Sequence, residues 1–515
     1  MQQKNIGYYR LIMLNSLGRV VPDTLRGYTS ATAYQSKNRI LIPEKAVVTK
    51  PLFLDSISAI FDEYHISDGM TLSFHHHLRN GDGVLNAVCQ EIKTRGIKHL
   101  TIAPSSIFPN NAIIVDLIIA GNITNIRTNY INGPAARPID DGKLQGLLLM
   151  DTHGGRARAI ESGDLPIDIA ILACPTVDRN GNGSGTEGLS ACGTLGYAQS
   201  DLRYAKKVIL VTDTIVDKVK QIDLDGKYVD AIVQIDSIGD PEGIVSGTTK
   251  ITKDPVGLKI ARDAADFLYQ AGVIKPGFSM QTGAGGTSLA VAAAVRKMMI
   301  TKQIHGSFAS GGTNGYYTDL LKEGWVDNLY DVQCFDLEAV RSYRDNSHHI
   351  AISASKYGNP YEPNPVVNNL SFVALGATEI DLDFNVNVTT DSLGRLIGGS
   401  GGHADTAHGA DITIITTTLA KARLPIIKEH VTTITTPGED VDVLVTERGI
   451  AINPRRVDLL EKMKNSNLTI MTISELMAIS HQISGIPAAI KEPGKVTGLI
   501  VYRDGTILDQ LYQRF

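Results

Sequence analysis

One plan of strand, polar loop and helix occurs twice in this chain at a nearly constant offset, and no other feature constrains the fold as much. The first copy runs through Gly69-Met70-Thr71-Leu72-Ser73-Phe74, a polar glycine-containing loop and an amphipathic segment from Val84. The second runs through Gly277-Phe278-Ser279-Met280-Gln281-Thr282, the loop Gly283-Ala284-Gly285-Gly286 and a segment from Ser288. Further along, IKHLTIAPSS leads to Asp116–Gly121, and IHGSFASGG leads to Asp319–Gly324. The offset is 208 residues from Gly69 to Gly277 and 203 from Asp116 to Asp319. Repeated supersecondary units imply repeated structure. Two tandem related α/β domains are expected, 1–255 and 256–515, joined near residues 245–275 at the Gly-, Pro- and Thr-rich run DPEGIVSGTTKITKDPVG.

Strand candidates are short runs of β-branched residues: Leu100–Ala103, Ile167–Ala173, Val208–Thr212, Asp411–Thr416 and Val441–Thr446. Their unbroken apolar character predicts buried, mostly parallel strands. Between them lie helix candidates. Val84, Leu85, Val88 and Ile92 share one face, with Asp82 placed to cap the start and Gly96 the end. Leu258–Tyr269 and Ser288–Met299 follow the same pattern, the latter with Thr287 as its cap. Such alternation predicts helices covering parallel sheets.

With 515 residues the chain is too long for one ordinary core. Its 49 basic and 54 acidic residues give a net charge of −5, which speaks against a nucleic-acid partner. Asp116 interrupts the most apolar run, NAIIVDLIIAG, so no membrane span is expected, and MQQKNIGYYR lacks the apolar core of a secretory signal. A cytoplasmic location follows as an expectation. Cys89, Cys174, Cys192 and Cys334 form no C-x-x-C pair, so they are expected to be reduced and buried, with no metal site.

Four constellations carry chemical possibilities. In Ser73-Phe74-His75-His76-His77-Leu78-Arg79-Asn80-Gly81-Asp82-Gly83, strand alternation puts His75 and His77 on one side and His76 on the other. The stretch is either a packed polar strand end or a cationic mouth in which Arg79 clamps a carboxylate. Gln281-Thr282-Gly283-Ala284-Gly285-Gly286-Thr287 precedes a helix and can present backbone N–H groups to an anion, but matches neither a dinucleotide fingerprint nor a P-loop. Ser310-Gly311-Gly312-Thr313-Asn314-Gly315 and Gly398-Gly399-Ser400-Gly401-Gly402-His403-Ala404-Asp405 are either mobile surface loops or backbone-lined walls of an acyl channel. There is no H-E-x-x-H zinc helix.

Several motifs then match a known family in order. They are NSLGRVVPD from Asn15, SFHHHLRNGD from Ser73, GPAARP from Gly133, DTHGGRARAIESGD, QTGAGGTSLA, ALGATEIDLDFNVNV and the 398–405 glycine loop. Over essentially its whole length the sequence resembles the alpha subunits of citrate lyase, members of the CoA-transferase-like superfamily. The resemblance implies an enzyme that exchanges acetate for citrate on the acetyl thioester of an acyl carrier protein. It implies a multimeric complex with a beta (lyase) subunit and a gamma (carrier) subunit. It implies no cofactor bound by this chain itself, the thioester belonging to the carrier's CoA-like prosthetic group or to acetyl-CoA. Covalent relatives use a glutamate ahead of a segment like Asp319–Gly324; the same spacing lands on Gly311, in a run with no carboxylate between His305 and Asp319. Direct transfer through an acetyl–citryl mixed anhydride is therefore expected. The alternatives are a glutamyl-type transferase or acyl-CoA hydrolase using Glu187, Glu379 or Glu447, and a non-catalytic scaffold. The superfamily's sugar-phosphate isomerases are disfavoured by length.

For direct transfer, the oxyanion donors are sought at Gly283, Gly285 and Gly286. Citrate is placed on His75, His76, Arg79, Asn80 and Arg137, with Arg156 and Arg158 as reserve cations. The carrier arm or CoA is placed on Gly311, Gly312, Gly398, Gly399, Gly401 and Gly402.

Overall fold

The computed structural model describes residues 13–30, 41–245, 251–486 and 494–514. The MQQKNIGYYR segment and positions 246–250 of the expected linker lie outside the described residues.

Two large sheets dominate. In the first, the strands Thr71–Phe74, Leu100–Pro104, Ile123–Thr128, Leu148–Met150, Ile169–Ala173, Lys207–Thr212 and Ala231–Gln234 are all parallel. In the second, Ser279–Thr282, Gly306–Thr313, Val326–Cys334, His349–Ala351, Phe372–Leu375, Thr413–Thr416 and Val443–Val445 are parallel as well. Counted in chain order, both sets of seven strands run 4-3-2-1-5-6-7 across the sheet. The duplication therefore extends to strand order. It reaches loop detail too: Asp178 accepts the N–H groups of Asn180 and Asn182, and 203 residues later Asp381 accepts those of Asp383 and Asn385.

Local chemistry sets the helices on these sheets. The helix Val84–Arg95 has Gly83 rather than Asp82 as its N-cap, although Asp82 Oδ1 accepts from Val84 N at 2.9 Å, and it ends where Gly96 takes φ 68°. Asp254 caps Pro255–Gln270, with proline in its first turn. The helix Gly286–Lys302 begins earlier than expected. Gly285 is its cap and Thr287 lies within it, because the glycines can take up the entry turn themselves.

The last strands correct the expected division. Val496–Val501 pairs in parallel with Leu148–Met150, and Ile507–Tyr512 pairs antiparallel with Val496–Val501 at the edge of the first sheet. A unit running 256–515 thus gives these strands to the wrong sheet; the chain crosses back to complete its first half. A hydrophobic cluster joins Cys174 and Cys192 of the first half to Cys334, Val340 and Tyr343 of the second. The four cysteines are buried and unbridged. Among the described residues no helix is long and apolar enough to cross a membrane.

Candidate active site

In each half the first strand lies between the second and the fifth, so successive connections leave it in opposite directions and a crevice opens beyond its carboxyl end. The crevices beyond Phe74 and Thr282 merge into one cleft of about 430 Å³. His76, Arg79, Phe108, Tyr130, His153 and Tyr197 of the first half face Gln281, Gly283, Gly285, Gly311, Gly312, Gln333, Phe335 and Tyr357 of the second. Gly399, Gly401, Gly402 and His403 close another wall.

The histidine run alternates as expected although the strand has ended at Phe74. His75 Nε2 bonds Ala173 O at 2.8 Å and His77 Nε2 bonds Ile238 O at 3.2 Å, both away from the cleft. His76 faces the other way, with Nδ1 on Ser105 Oγ and its ring 4.6 Å from Tyr197. Arg79 has φ 54°, in the left-handed region that costs a non-glycine residue about 1 kcal/mol or more. Its guanidinium sits 4.1 Å from the Phe335 ring and 5.6 Å from that of Phe108. Burial pushes it down to about 10, which leaves it charged at neutral pH.

Nine of the expected residues line the cleft: His76, Arg79, Gly283, Gly285, Gly311, Gly312, Gly399, Gly401 and Gly402. His75, Asn80, Arg137, Gly286 and Gly398 do not. Asn80 is exposed and accepts Asn110 N–H, and the Arg137 side chain is 87% exposed beside Asp141. Gly398 donates to Thr389 O and accepts from Ile131 N–H. Arg156 is held by Asp201 at 2.9 Å and by Ser73, and Arg158 by Asp164 at 2.6 Å. Gly81 and Gly83 press on the backbone of 238–243 instead of a ligand.

The glycine amides divide in the same way. Gly283 N–H donates to Ala374 O at 2.8 Å and Gly401 N–H to Asn129 O, so both serve the fold. Gly285 and Gly286 open the helix Gly286–Lys302, where the first N–H groups have no partner one turn back. They form an electropositive helix end beside the cleft. The 398–402 loop is not a free flap, since His153 N donates to Gly401 O at 2.8 Å and stitches it to the first half.

Among the described residues no aspartate or glutamate lines the cleft. Glu187 pairs with Lys220, Glu379 with Lys428, and Glu447 accepts Leu419 N–H. At Gly311, φ is 110°, and a Cβ there would lie 2.7 Å from the Gln281 amide. Gln281 thus occupies the space a side chain at 311 would need. Away from the cleft, Asp331, Cys334 and His349 make a buried trio; Asp331 Oδ2 accepts from the Cys334 thiol at 3.1 Å and bonds His349 Nε2 at 3.0 Å.

Neutral buried imidazoles have a consequence for stability. Burial pushes His75 and His153 down to about 3 and His77 and His403 to about 4, and holds His76 well below its ordinary value. Below about pH 6.5 the unfolded chain protonates these groups and the folded chain does not, so stability is lost as pH falls. Asp82 and Asp140, raised by burial to about 7, act in the opposite sense between pH 7 and 4. Asp223, Asp266, Asp381, Asp405, Asp442 and Asp509, also raised by burial, add to that opposing sense.

The sequence model of the family described as citrate lyase, alpha subunit, matches residues 52–514. The chain belongs to the citrate lyase alpha-subunit family. It is 40% identical over 495 residues to the citrate lyase alpha chain of Klebsiella pneumoniae, covering 96% of this chain and 97% of that one. It is 41% identical over 449 residues to the Haemophilus influenzae alpha chain, covering 87% and 90%. A Streptococcus mutans protein described as an alpha subunit of citrate lyase, solved in complex with citrate, superposes with a TM-score of 0.93 at 41% identity over 97% of this chain and all of that one. The malonate decarboxylase alpha subunit of Acinetobacter baumannii shares the fold, at TM-score 0.63 and 15% identity over 85% of each chain. As a citrate lyase alpha subunit the chain is an enzyme of the CoA-transferase kind and a component of the citrate lyase complex.

Proposed function

We propose that this alpha subunit transfers an acyl-carrier thiol from acetate to citrate within a ternary complex, and that the merged cleft is where it does so. The observation that carries the proposal is a cleft with a buried arginine and the helix-cap residue Gly285 but no aspartate or glutamate among its described lining residues. A citrate carboxylate oxygen attacks the acetyl thioester carbon, and the thiolate leaves with the bonding pair, giving an acetyl–citryl anhydride. The thiolate then attacks the citryl carbonyl, and acetate leaves. Each tetrahedral oxyanion is stabilised by the helix-start amide of Gly285, and the substrate's remaining negative charge by Arg79. Carboxylates are weak nucleophiles, so holding one about 3–3.5 Å from the thioester supplies much of the rate. The thioester arrives on the CoA-like arm of the gamma subunit or as acetyl-CoA. The citryl product passes to the beta subunit in a multimeric cytoplasmic complex.

The test is an isotope exchange. Labelled CoA is incubated with acetyl-CoA and the isolated chain, with no free carboxylic acid present. Direct transfer predicts no label in acetyl-CoA until citrate is added. Exchange without citrate would require an acyl-enzyme, and the glutamyl mechanism would replace this one. Failure of citrate to start any transfer would leave the chain a scaffold.

A further inference from the structure

Gln281 stands in the second half where Ser73 stands in the first, as a polar residue near the end of a buried strand. Its Nε2 donates to the Tyr357 hydroxyl at 2.7 Å, which fixes the amide orientation. The carbonyl oxygen on the other side is buried and has no hydrogen-bond partner. Tyr357 in turn accepts from Gln281, and its own O–H proton meets no acceptor among the described residues. Burial pushes its phenol up, so the proton is retained. Both side chains line the cleft, with Gln281 6% and Tyr357 2% exposed.

Two glycines make room for them. A Cβ at Gly311 would lie 2.7 Å from the Gln281 amide, and one at Gly402 would lie 2.4 Å from the Tyr357 hydroxyl oxygen. The backbone is thus shaped around a neighbouring acceptor and donor that the protein itself leaves unfilled. A buried polar atom without a partner is costly, so such a pair points to a ligand.

The complement of an adjacent donor and acceptor is one neutral group that both accepts and donates. Carboxylates only accept, and so does a thioester carbonyl. We infer that Gln281 and Tyr357 recognise the hydroxyl of a hydroxylated tricarboxylate, and so discriminate it from the same acid without the hydroxyl. The inference rests on reading the cleft as the citrate site. The one competing source of the same chemistry is an amide in the carrier or CoA arm.

Calorimetry on the full chain separates these outcomes, with citrate, propane-1,2,3-tricarboxylate (the deoxy analogue) and acetyl-CoA as probes. Wild type is expected to bind citrate at least tenfold more tightly than the deoxy acid. Tyr357→Phe and Gln281→Met should each weaken citrate by about tenfold or more and leave the deoxy acid unchanged, erasing the preference. Equal weakening of both acids, or a wild type without preference, overturns the inference. Loss of acetyl-CoA affinity alone overturns it too and gives the pair to the arm. Arg79→Met checks the underlying reading: it should weaken both acids together. Citrate binding that survives Arg79→Met and both pair variants means that citrate binds elsewhere, and the cleft reading itself fails.

Discussion

Arg79→Met is expected to lower kcat/KM for citrate by about a thousandfold in a protein that still folds. Removing one member of a buried, hydrogen-bonded charge pair costs roughly 2–5 kcal/mol, and about 1.4 kcal/mol is a factor of ten. The remaining charge would be a desolvated citrate carboxylate in a cleft with no other arginine or lysine among its described lining residues. Methionine keeps an unbranched side chain between Phe335 and Phe108, so packing changes less than charge does. The backbone supports the same reading, because a positive φ at a non-glycine residue persists only where the surroundings impose it. Steady-state kinetics with citrate and an acetyl thioester decide the matter. Unchanged KM and kcat would remove Arg79 from the site.

The second large effect concerns residues far from the chemistry in sequence. A chain lacking residues 494–515 is expected to be insoluble, without native secondary structure. Ile500, Tyr502, Leu508 and Leu511 are buried in the first core, and Leu499, Val501 and Ile507 in a smaller cluster with Val21. At about 1.5–3 kcal/mol for each large apolar side chain, their loss approaches the roughly 5–15 kcal/mol that keeps a domain folded. The deletion also uncovers the edge of Leu148–Met150 and invites strand pairing between chains. Contacts that tie this hairpin to the other half include Tyr502 to Asp440 at 2.6 Å, Arg503 to Gly358 O at 2.9 Å and Ile434 N to Asp509 at 2.9 Å. A soluble truncated chain with an intact circular dichroism spectrum would show that the hairpin is dispensable.

Much of the fold was legible in the sequence, and the successes share one cause. Leu100–Pro104, Ile169–Ala173 and Lys207–Thr212 lie where β-branched runs placed them, because strands buried on both faces carry their own apolar signature. Gly96 marks the end of its helix for an equally local reason. His76 was separable from His75 and His77 by alternation alone. Asn80 and Arg137 were misplaced because adjacency to a motif says nothing about which way a side chain leaves the backbone. Gln281 carried a signal that was passed over, an amide in the run that repeats Thr71–Phe74. Tyr357, Tyr197, Gln333 and Phe335 carried none, since none of them falls in a motif that the sequence singles out.

By itself, then, the sequence determined the duplicated α/β plan, the family, and a run without a carboxylate between His305 and Asp319. Each of these rests on residue order or on the period of apolar side chains. Only the tertiary structure decided three further things: which half owns the last hairpin, which glycine amides remain free of the fold, and which side chains meet in the cleft. Those depend on contacts between residues hundreds of positions apart, such as Gln333 Nε2 on His76 O at 2.6 Å and Thr152 on Asp405 at 2.8 Å. Such contacts arise from how the two halves of the chain meet, and no local pattern in either partner encodes them.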